Sequence, residues 1–596
     1  MSGPKSYQNG HAKSPSEQTP LLPRIPAPPT TADASLEAEL DHDSQQTPDV
    51  EAPNQTISLI RGILCTLALG LLVFLQATNI SMLTTIQSEI AGELDAFERT
   101  TWFTSAYLIS MSSLGPLNGK LATMFGPRII IFVSTIVLAL GTAVSGVSNT
   151  FGTFIFGRCI TGIGASGVFT VSIIIVLELT GPLRRGLAIG LLNSGYTFGV
   201  AMGATAAGAL LPHVGWRALF WMQAPIALIG GTALLLSIPS DFRAGGSKGK
   251  KDSSSDSSQT ILRRLAQLDY LGALTLTTSI VLLLYALSAS RTIPLLPIFL
   301  AGIVLVIFIL NEVYLAADPI IPISLLKSRG LLLTCLGTVG FMMARWSVLF
   351  YAPTYALAVR QWSPATSGSI LIPTNAGFAI GGLLVGWLHI KRPGSFYLAT
   401  VVVYALFPIT LVILAYISTS HSSPAIYVAV VFACGCLAGA ALNYTLAHLL
   451  HLTPKGTHYI ASSLLAMFRS FAGSFGSSIG GGIFVRTLYH SLTAGFEKAG
   501  LRHREELVRR LLGSPPLVKD LRGVEKEVAV QAYQDALKML FLASAGLAVL
   551  MILVQASTGW AAPVEDLVKV DDDGVEGNSR NGTINREPDR GRDTNR

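Results

Sequence analysis

The chain has 596 residues, of which 50% are hydrophobic and 13% charged, with a formal net charge of +7 and a mean hydropathy of +0.53. Soluble domains carry roughly 25% charged residues, so this composition excludes an ordinary soluble fold. The cations are spread over loops and tails without a basic face, which excludes nucleic acid as a partner and fits cytosolic loops that meet anionic lipid.

Residues 1–59 are polar and rich in Pro, Ser and Thr, and read as a disordered cytosolic tail without a cleavable signal peptide. Within it, Glu17, Leu21 and Leu22 match the acidic dileucine pattern that sorts membrane proteins to lysosome-like compartments. About fourteen apolar stretches follow between Ile60 and Ser557. Most are near the ~20 residues that a helix needs to cross a bilayer. The first six, at 60–82, 102–122, 128–148, 154–177, 187–210 and 217–238, are expected to form an N-terminal bundle over 60–238. A cytosolic linker at 239–269 contains the flexible run Ala244 to Ser258. Two additional helices are expected within 270–316, at 270–290 and 294–316. The last six stretches, at 331–356, 366–390, 396–417, 425–450, 460–487 and 537–557, make a C-terminal bundle over 331–557 with a long non-cytosolic loop at 488–536. A second disordered cytosolic tail covers 558–596.

Short-loop cations set the orientation. Lys120 and Arg128, Arg184 and Arg185, Lys327 and Arg329, and Lys391 and Arg392 all fall in even-numbered loops, as do the linker cations. The first loop instead carries Glu89, Glu93, Asp95 and Glu98 against Arg99. Even-numbered loops and both tails are therefore expected in the cytosol. In the long loop, 504–512 has the pattern of a short amphipathic helix, lying on the membrane surface or in solvent.

Three local patterns carry more information. Gly119 and Gly126 bracket the loop after the second span and permit a tight turn. Arg128 at its end can bond helix-terminal carbonyls or lipid head groups, so the three are assigned to a gating loop. The fourth span holds Arg158 ahead of Gly162 and Gly164. An Arg inside an apolar helix costs several kcal/mol unless it faces a partner or a wet cavity. Arg158 therefore either lines a pathway, the preferred reading, or locks two helices through carbonyl bonds. Gly195, Gly199 and Gly203 recur at four-residue spacing in the fifth span, as close helix packing requires.

These motifs resemble those of the major facilitator superfamily. Their order resembles the fungal fourteen-span drug:proton antiporters, as do Asp95-Ala96-Phe97, Thr101 to Leu108, Pro182 to Gly186, Gly215-Trp216-Arg217, Asp269 to Gly272 and Pro319 to Pro322. Thr123, Pro127, Thr161 and Ala204 depart from the usual residues. Gln531 to Leu537 resembles fungal vacuolar basic amino acid transporters, although Leu75 to Asn79 lacks the aspartate usual in the first span of that group. The resemblance covers 60–557. It implies an all-α integral membrane protein with the major facilitator fold: two six-helix bundles plus two extra helices, about fourteen transmembrane helices.

Polar groups inside spans are the default site candidates. Gln76, Asn79, Arg158, Asn193, Arg345, Asn375, Asn443 and Arg469 are assigned to a substrate or proton pathway, and Trp346 could stack on a ligand. Glu178 and Glu312 are the intramembrane carboxylates, both near span ends. His448 and His451 sit one turn apart without an acid between them, so no metal or other cofactor is expected. No phosphate-binding Gly-x-x-x-x-Gly-Lys loop supports an ATP-driven pump. The expectation is a secondary transporter, not an enzyme. It would be a proton-coupled monomer that exports small organic molecules such as drugs or toxic metabolites. The alternative is a vacuolar basic amino acid transporter; a nutrient receptor or a membrane enzyme is the choice from another class. Substrate, protons and membrane lipid are the expected partners, at the plasma or the vacuolar membrane.

Overall fold

A computed structural model of the chain describes residues 59–179, 185–239, 269–288, 293–316, 328–390, 395–454, 458–501 and 504–560. The sorting residues Glu17, Leu21 and Leu22, and nearly all of both tails and of the linker, lie outside the described residues. Every regular element among the described residues is helical. The first half holds α1 (Leu59–Ser81), α2 (Leu83–Glu93), α3 (Thr101–Phe125), α4 (Pro127–Gly146), α5 (Phe151–Leu179), α6 (Arg185–Trp221) and α7 (Gln223–Ser237). Two helices follow, α8 (Tyr270–Leu287) and α9 (Leu295–Leu310). The second half holds α10 (Arg329–Ala358), α11 (Pro364–Ser369), α12 (Leu371–Leu384), α13 (Tyr397–Ile417), α14 (Pro424–His451), α15 (His458–Lys498), α16 (Glu505–Gly513) and α17 (Gly523–Ala556).

All fourteen predicted stretches are helical, and eleven helices among the described residues are long and apolar enough to cross a membrane. The chain is a multi-pass integral membrane protein. Gly215 at φ 71 kinks α6 near its end, so the turns from Trp216 to Trp221 belong with α7 and the sixth stretch starts close to where it is expected. The helices α3 and α15 are long but less apolar, and the reason is their position. They meet each other, through Ser105 with Ser477 at 3.3 Å, Ser478 with Ser105 at 3.0 Å and Ser112 with Ser474 at 3.2 Å. Hydroxyls that satisfy one another across a helix contact lower the hydropathy without exposing polar groups to lipid.

Local signals fix the helix ends. Gly126 takes φ 89 between α3 and α4, a conformation that favours glycine, and Pro127 then starts α4 where a missing N–H is harmless. Asp269 caps α8 by accepting from the Gly272 amide at 2.7 Å, and Asn311 donates to the same carboxylate at 2.8 and 2.9 Å, which ties α8 to the end of α9. The buried face of α8 packs with α9, α3 and α15. Most of α9 is exposed, with only Ala301 and Phe308 buried along it. That is how a lipid-facing helix looks when drawn without lipid.

Each half has its own apolar core. The halves meet along α3 with α15 and along α6 with α11 and α12. At the second seam a Cβ on Gly208 would stand 2.7 Å from the Pro364 carbonyl, and one on Gly368 would stand 2.6 Å from the Ala204 oxygen. Only glycine admits this backbone approach.

The segment after the thirteenth stretch differs from expectation. Helix α15 continues to Lys498, and α17 begins at Gly523, so most of 488–536 is helical. Leu488, Leu492 and Phe496 are buried four residues apart, and Ala529, Ala532, Tyr533 and Ala536 on α17 are buried at helical spacings of three and four. The opposite faces are charged, which hid these turns from a reading based on hydropathy. The amphipathic helix expected at 504–512 exists as α16, but its apolar face lies against protein rather than membrane. Val508, Leu511 and Leu512 are buried, Gly513 abuts Phe97, and the Tyr533 hydroxyl donates to the Leu511 carbonyl.

Candidate functional site

Both α6 and α15 run toward the face that carries α16. Near that face the halves are in tight contact, through the serines of α3 and α15 and through Gly208 and Gly368. Further from it, between the halves, lies a cavity of about 90 Å³. Its walls come from α3, α5 and α6 of the first half and α10, α12 and α15 of the second. Asn193, Arg345, Asn375 and Arg469, four of the predicted pathway residues, all line it.

Arg345 lies about half way along α10 and is 6% exposed. Its Nη2 donates to Asn375 Oδ1 at 3.3 Å, and Asn375 is held in turn by donating to the Leu371 carbonyl at 2.8 Å. The guanidinium sits 4.2 Å from the centre of the Phe378 ring, a favourable stacking distance. Its Nη1 is buried with no hydrogen-bond partner. Arg469, on α15, reaches across to the first half and donates through Nη2 to Asn193 Oδ1 at 3.1 Å. Among the described residues, no Asp or Glu lines the cavity. The rest of the wall is largely apolar and aromatic, with Met111, Phe169, Leu349 and Trp346, the last stacked on Phe350 at 5.2 Å. Tyr196, one turn beyond Asn193, also lines it; the reading of the sequence missed this residue, because a single Tyr on an apolar helix carries no mark of its direction.

Arg158 is not in the cavity wall. It is wholly buried inside the first half, where its Nε donates to the Phe103 carbonyl at 2.8 Å and its Nη1 to Asn79 Oδ1. Asn79 donates to Gln223 Oε1 at 2.6 Å, and Gln223 donates to the Leu219 carbonyl at 2.9 Å. Arg158 also lies 4.7 Å from the Tyr107 ring centre and 5.8 Å from that of Phe220. One of the Arg158 bonds goes to a carbonyl and ties α5 to α3, while the Arg158 Nη2 is buried without a hydrogen-bond partner. Gln223 belongs to this network and was not among the expected site residues. Gln76 adjoins the cavity wall by donating to Met111 Sδ at 3.3 Å, and its Oε1 is buried without a partner. Asn443 stands apart, donating to the Gly382 carbonyl at 2.9 Å within the second half.

The predicted packing glycines divide. Gly199 abuts Phe74 and Ala77 on α1, and Gly203 abuts Thr78 and Ser81. Gly195 is a correction: a Cβ there would meet nothing within 4 Å, so it lies outside the packed stripe. In the predicted gating loop, Gly126 makes the turn and Arg128 Nε donates to the Leu235 carbonyl at the end of α7 at 2.8 Å. Gly119 faces Thr170 at ordinary contact distance.

Charges cluster at the α16 face. Arg509 on α16 bonds Asp95 of the first half at 2.7 Å and Glu506 at 2.9 Å, and Arg504 bonds Glu525 at 2.7 Å. Its bonds to Glu506 and Asp95 push the Arg509 guanidinium above its ordinary range. Glu93 takes Arg217 at 2.5 Å and also accepts from the Trp216 indole, and the Arg217 hydrogen bond holds its carboxyl below the usual carboxylate range.

A sequence model described as Major Facilitator Superfamily matches residues 69–477. The chain is 26% identical over 546 residues to MFS transporter L2 of Phoma sp., covering 88% of this chain and 85% of that protein. It is 23% identical to multidrug resistance protein fnx1 of Schizosaccharomyces pombe, over 78% of this chain and 87% of the relative. Among solved structures, the fold is similar to a bacterial homologue of the human lysosomal transporter Spinster in an inward-facing, occupied conformation. The TM-score is 0.57 at 14% identity, covering 84% of this chain and 97% of that one.

Proposed function

Since the chain belongs to the Major Facilitator Superfamily and is a membrane transporter of small molecules, we propose that it is a secondary active exporter that couples outward movement of a small organic molecule to the proton gradient. The observation that carries this reading is the cavity between the halves, closed toward the α16 face and lined by Asn193, Arg345, Asn375 and Arg469. A site held between two bundles that each keep a separate core can be exposed to one face or the other by rocking the bundles. Similarity to a multidrug resistance protein of Schizosaccharomyces pombe supports export as the direction. The charge pattern of the short loops supports an α16 face directed away from the cytosol.

The test uses the full-length protein in proteoliposomes with a trapped pH indicator. Naphthalenesulfonate, naphthylmethanol and naphthyltrimethylammonium, which share one ring system, are added in turn. Coupled transport predicts proton movement that depends on one of the solutes and stops when a protonophore collapses the gradient. Solute flux that ignores both the gradient and the protonophore would reject the coupling.

A further inference from the structure

The charge of the cavity specifies more than transport. Among the described residues, two guanidiniums line it and no carboxylate does. Arg remains charged at any physiological pH. An uncompensated Arg inside a membrane protein is costly, and such groups mark a partner or a wet path. Each Arg here is held from behind by an amide oxygen, Arg345 by Asn375 and Arg469 by Asn193. Those contacts orient the guanidinium without neutralising it. Arg345 also keeps Nη1 buried and without a hydrogen-bond partner, a donor that an incoming acceptor would satisfy.

We propose that the cavity binds amphipathic organic anions, with a carboxylate, sulfate or sulfonate on Arg345 and Arg469 and the apolar body against Trp346 and Leu349. This rests on the reading of the cavity as the transport site. A planar guanidinium offers paired N–H groups that match such oxyanions. The neighbouring indole gives the ligand body a flat apolar surface. A cationic solute, a basic amino acid included, would instead meet two like charges in a poorly solvated space.

Equilibrium binding to the full-length protein in nanodiscs, read by quenching of tryptophan fluorescence, tests the assignment with the same three probes. Naphthalenesulfonate should bind at least about tenfold more tightly than naphthylmethanol, and naphthyltrimethylammonium should bind more weakly than either. Arg345→Gln and Arg469→Gln should each weaken sulfonate binding by about tenfold to a hundredfold. Both should keep the naphthylmethanol affinity, which certifies an intact cavity. Ammonium binding as tight as sulfonate binding in the unaltered protein would overturn the proposal, whatever the variants do. So would undiminished sulfonate binding in both variants. Failure of the transport reading looks different. Sulfonate selectivity without solute-driven proton movement would reject coupling and leave the anion site standing. Ammonium selectivity with proton movement would reject the anion site and leave transport standing.

Discussion

Arg158 and Arg345 are both buried guanidiniums in apolar helices, one in each half, yet their surroundings differ. Arg158 is enclosed by its own bundle. It has a carbonyl and an amide oxygen for partners and two aromatic rings beside it, and although its Nη2, like Arg345 Nη1, is buried without a partner, it lies off the cavity wall. Arg345 has one amide contact, one ring and a wall position on the cavity. The first arrangement ties α5 to α1 and α3, and through Asn79 and Gln223 to α7. The second, on the reading proposed above, holds a charge for a ligand. On that reading, the same residue type serves assembly in one half and recognition in the other, and the surroundings of the guanidinium decide which.

That contrast can be broken by substitution. The largest structural effect is expected for Arg158→Ala. It leaves the Phe103 carbonyl and Asn79 Oδ1 without their donor and opens a void beside Tyr107. The loss should be about 2–4 kcal/mol of stability, seen as a lower unfolding temperature in detergent. Arg345→Ala should change stability by no more than about 1 kcal/mol while lowering transport by about tenfold to a hundredfold. Equal destabilisation by both would erase the distinction.

Smaller effects sharpen it. Asn193→Ala removes the acceptor that Arg469 uses across the halves. One hydrogen bond, about 1 kcal/mol, should shift the balance of conformations by about fivefold, measured by distances between spin labels on α6 and α15. Asp95→Asn breaks an exposed ion pair at the α16 face, and its effect on stability should stay below about 1 kcal/mol and vanish at high salt. The pH dependence there has a definite sign. Glu93 has a folded pKa below its unfolded value, so its contribution is fully present above the unfolded value. It is lost as the pH falls through the folded one. Stability should therefore be insensitive to Glu93 between about pH 5 and 7 and fall with acid below about pH 4, an effect that Glu93→Gln removes.

Much of this was legible in the chain itself. Long apolar runs bounded by Gly126-Pro127 or Asp269 gave the helices, because a backbone in lipid has few alternatives. Asn193, Arg345, Asn375 and Arg469 could be named for their polarity alone, since polar groups in spans need a reason to be there. Polarity could not say which of them share a cavity. Arg158 and Arg345 look alike in sequence, and only the register of each helix turns one inward to its bundle and the other to the interface. The helical turns after Leu488 and before Leu537 were missed because their charged faces dilute the hydropathy. Gly195 was misplaced because a four-residue spacing does not show how closely the neighbouring helix approaches at each turn.

The most direct test of the central contrast measures stability and transport together in Arg158→Gln and Arg345→Gln, each as full-length protein in proteoliposomes. The account predicts a lowered unfolding temperature for Arg158→Gln, with transport falling in proportion to the folded protein that remains. For Arg345→Gln it predicts an unchanged unfolding temperature and transport reduced by about tenfold or more. Full transport per folded molecule in Arg345→Gln, or a loss of transport in folded and stable Arg158→Gln, would contradict it.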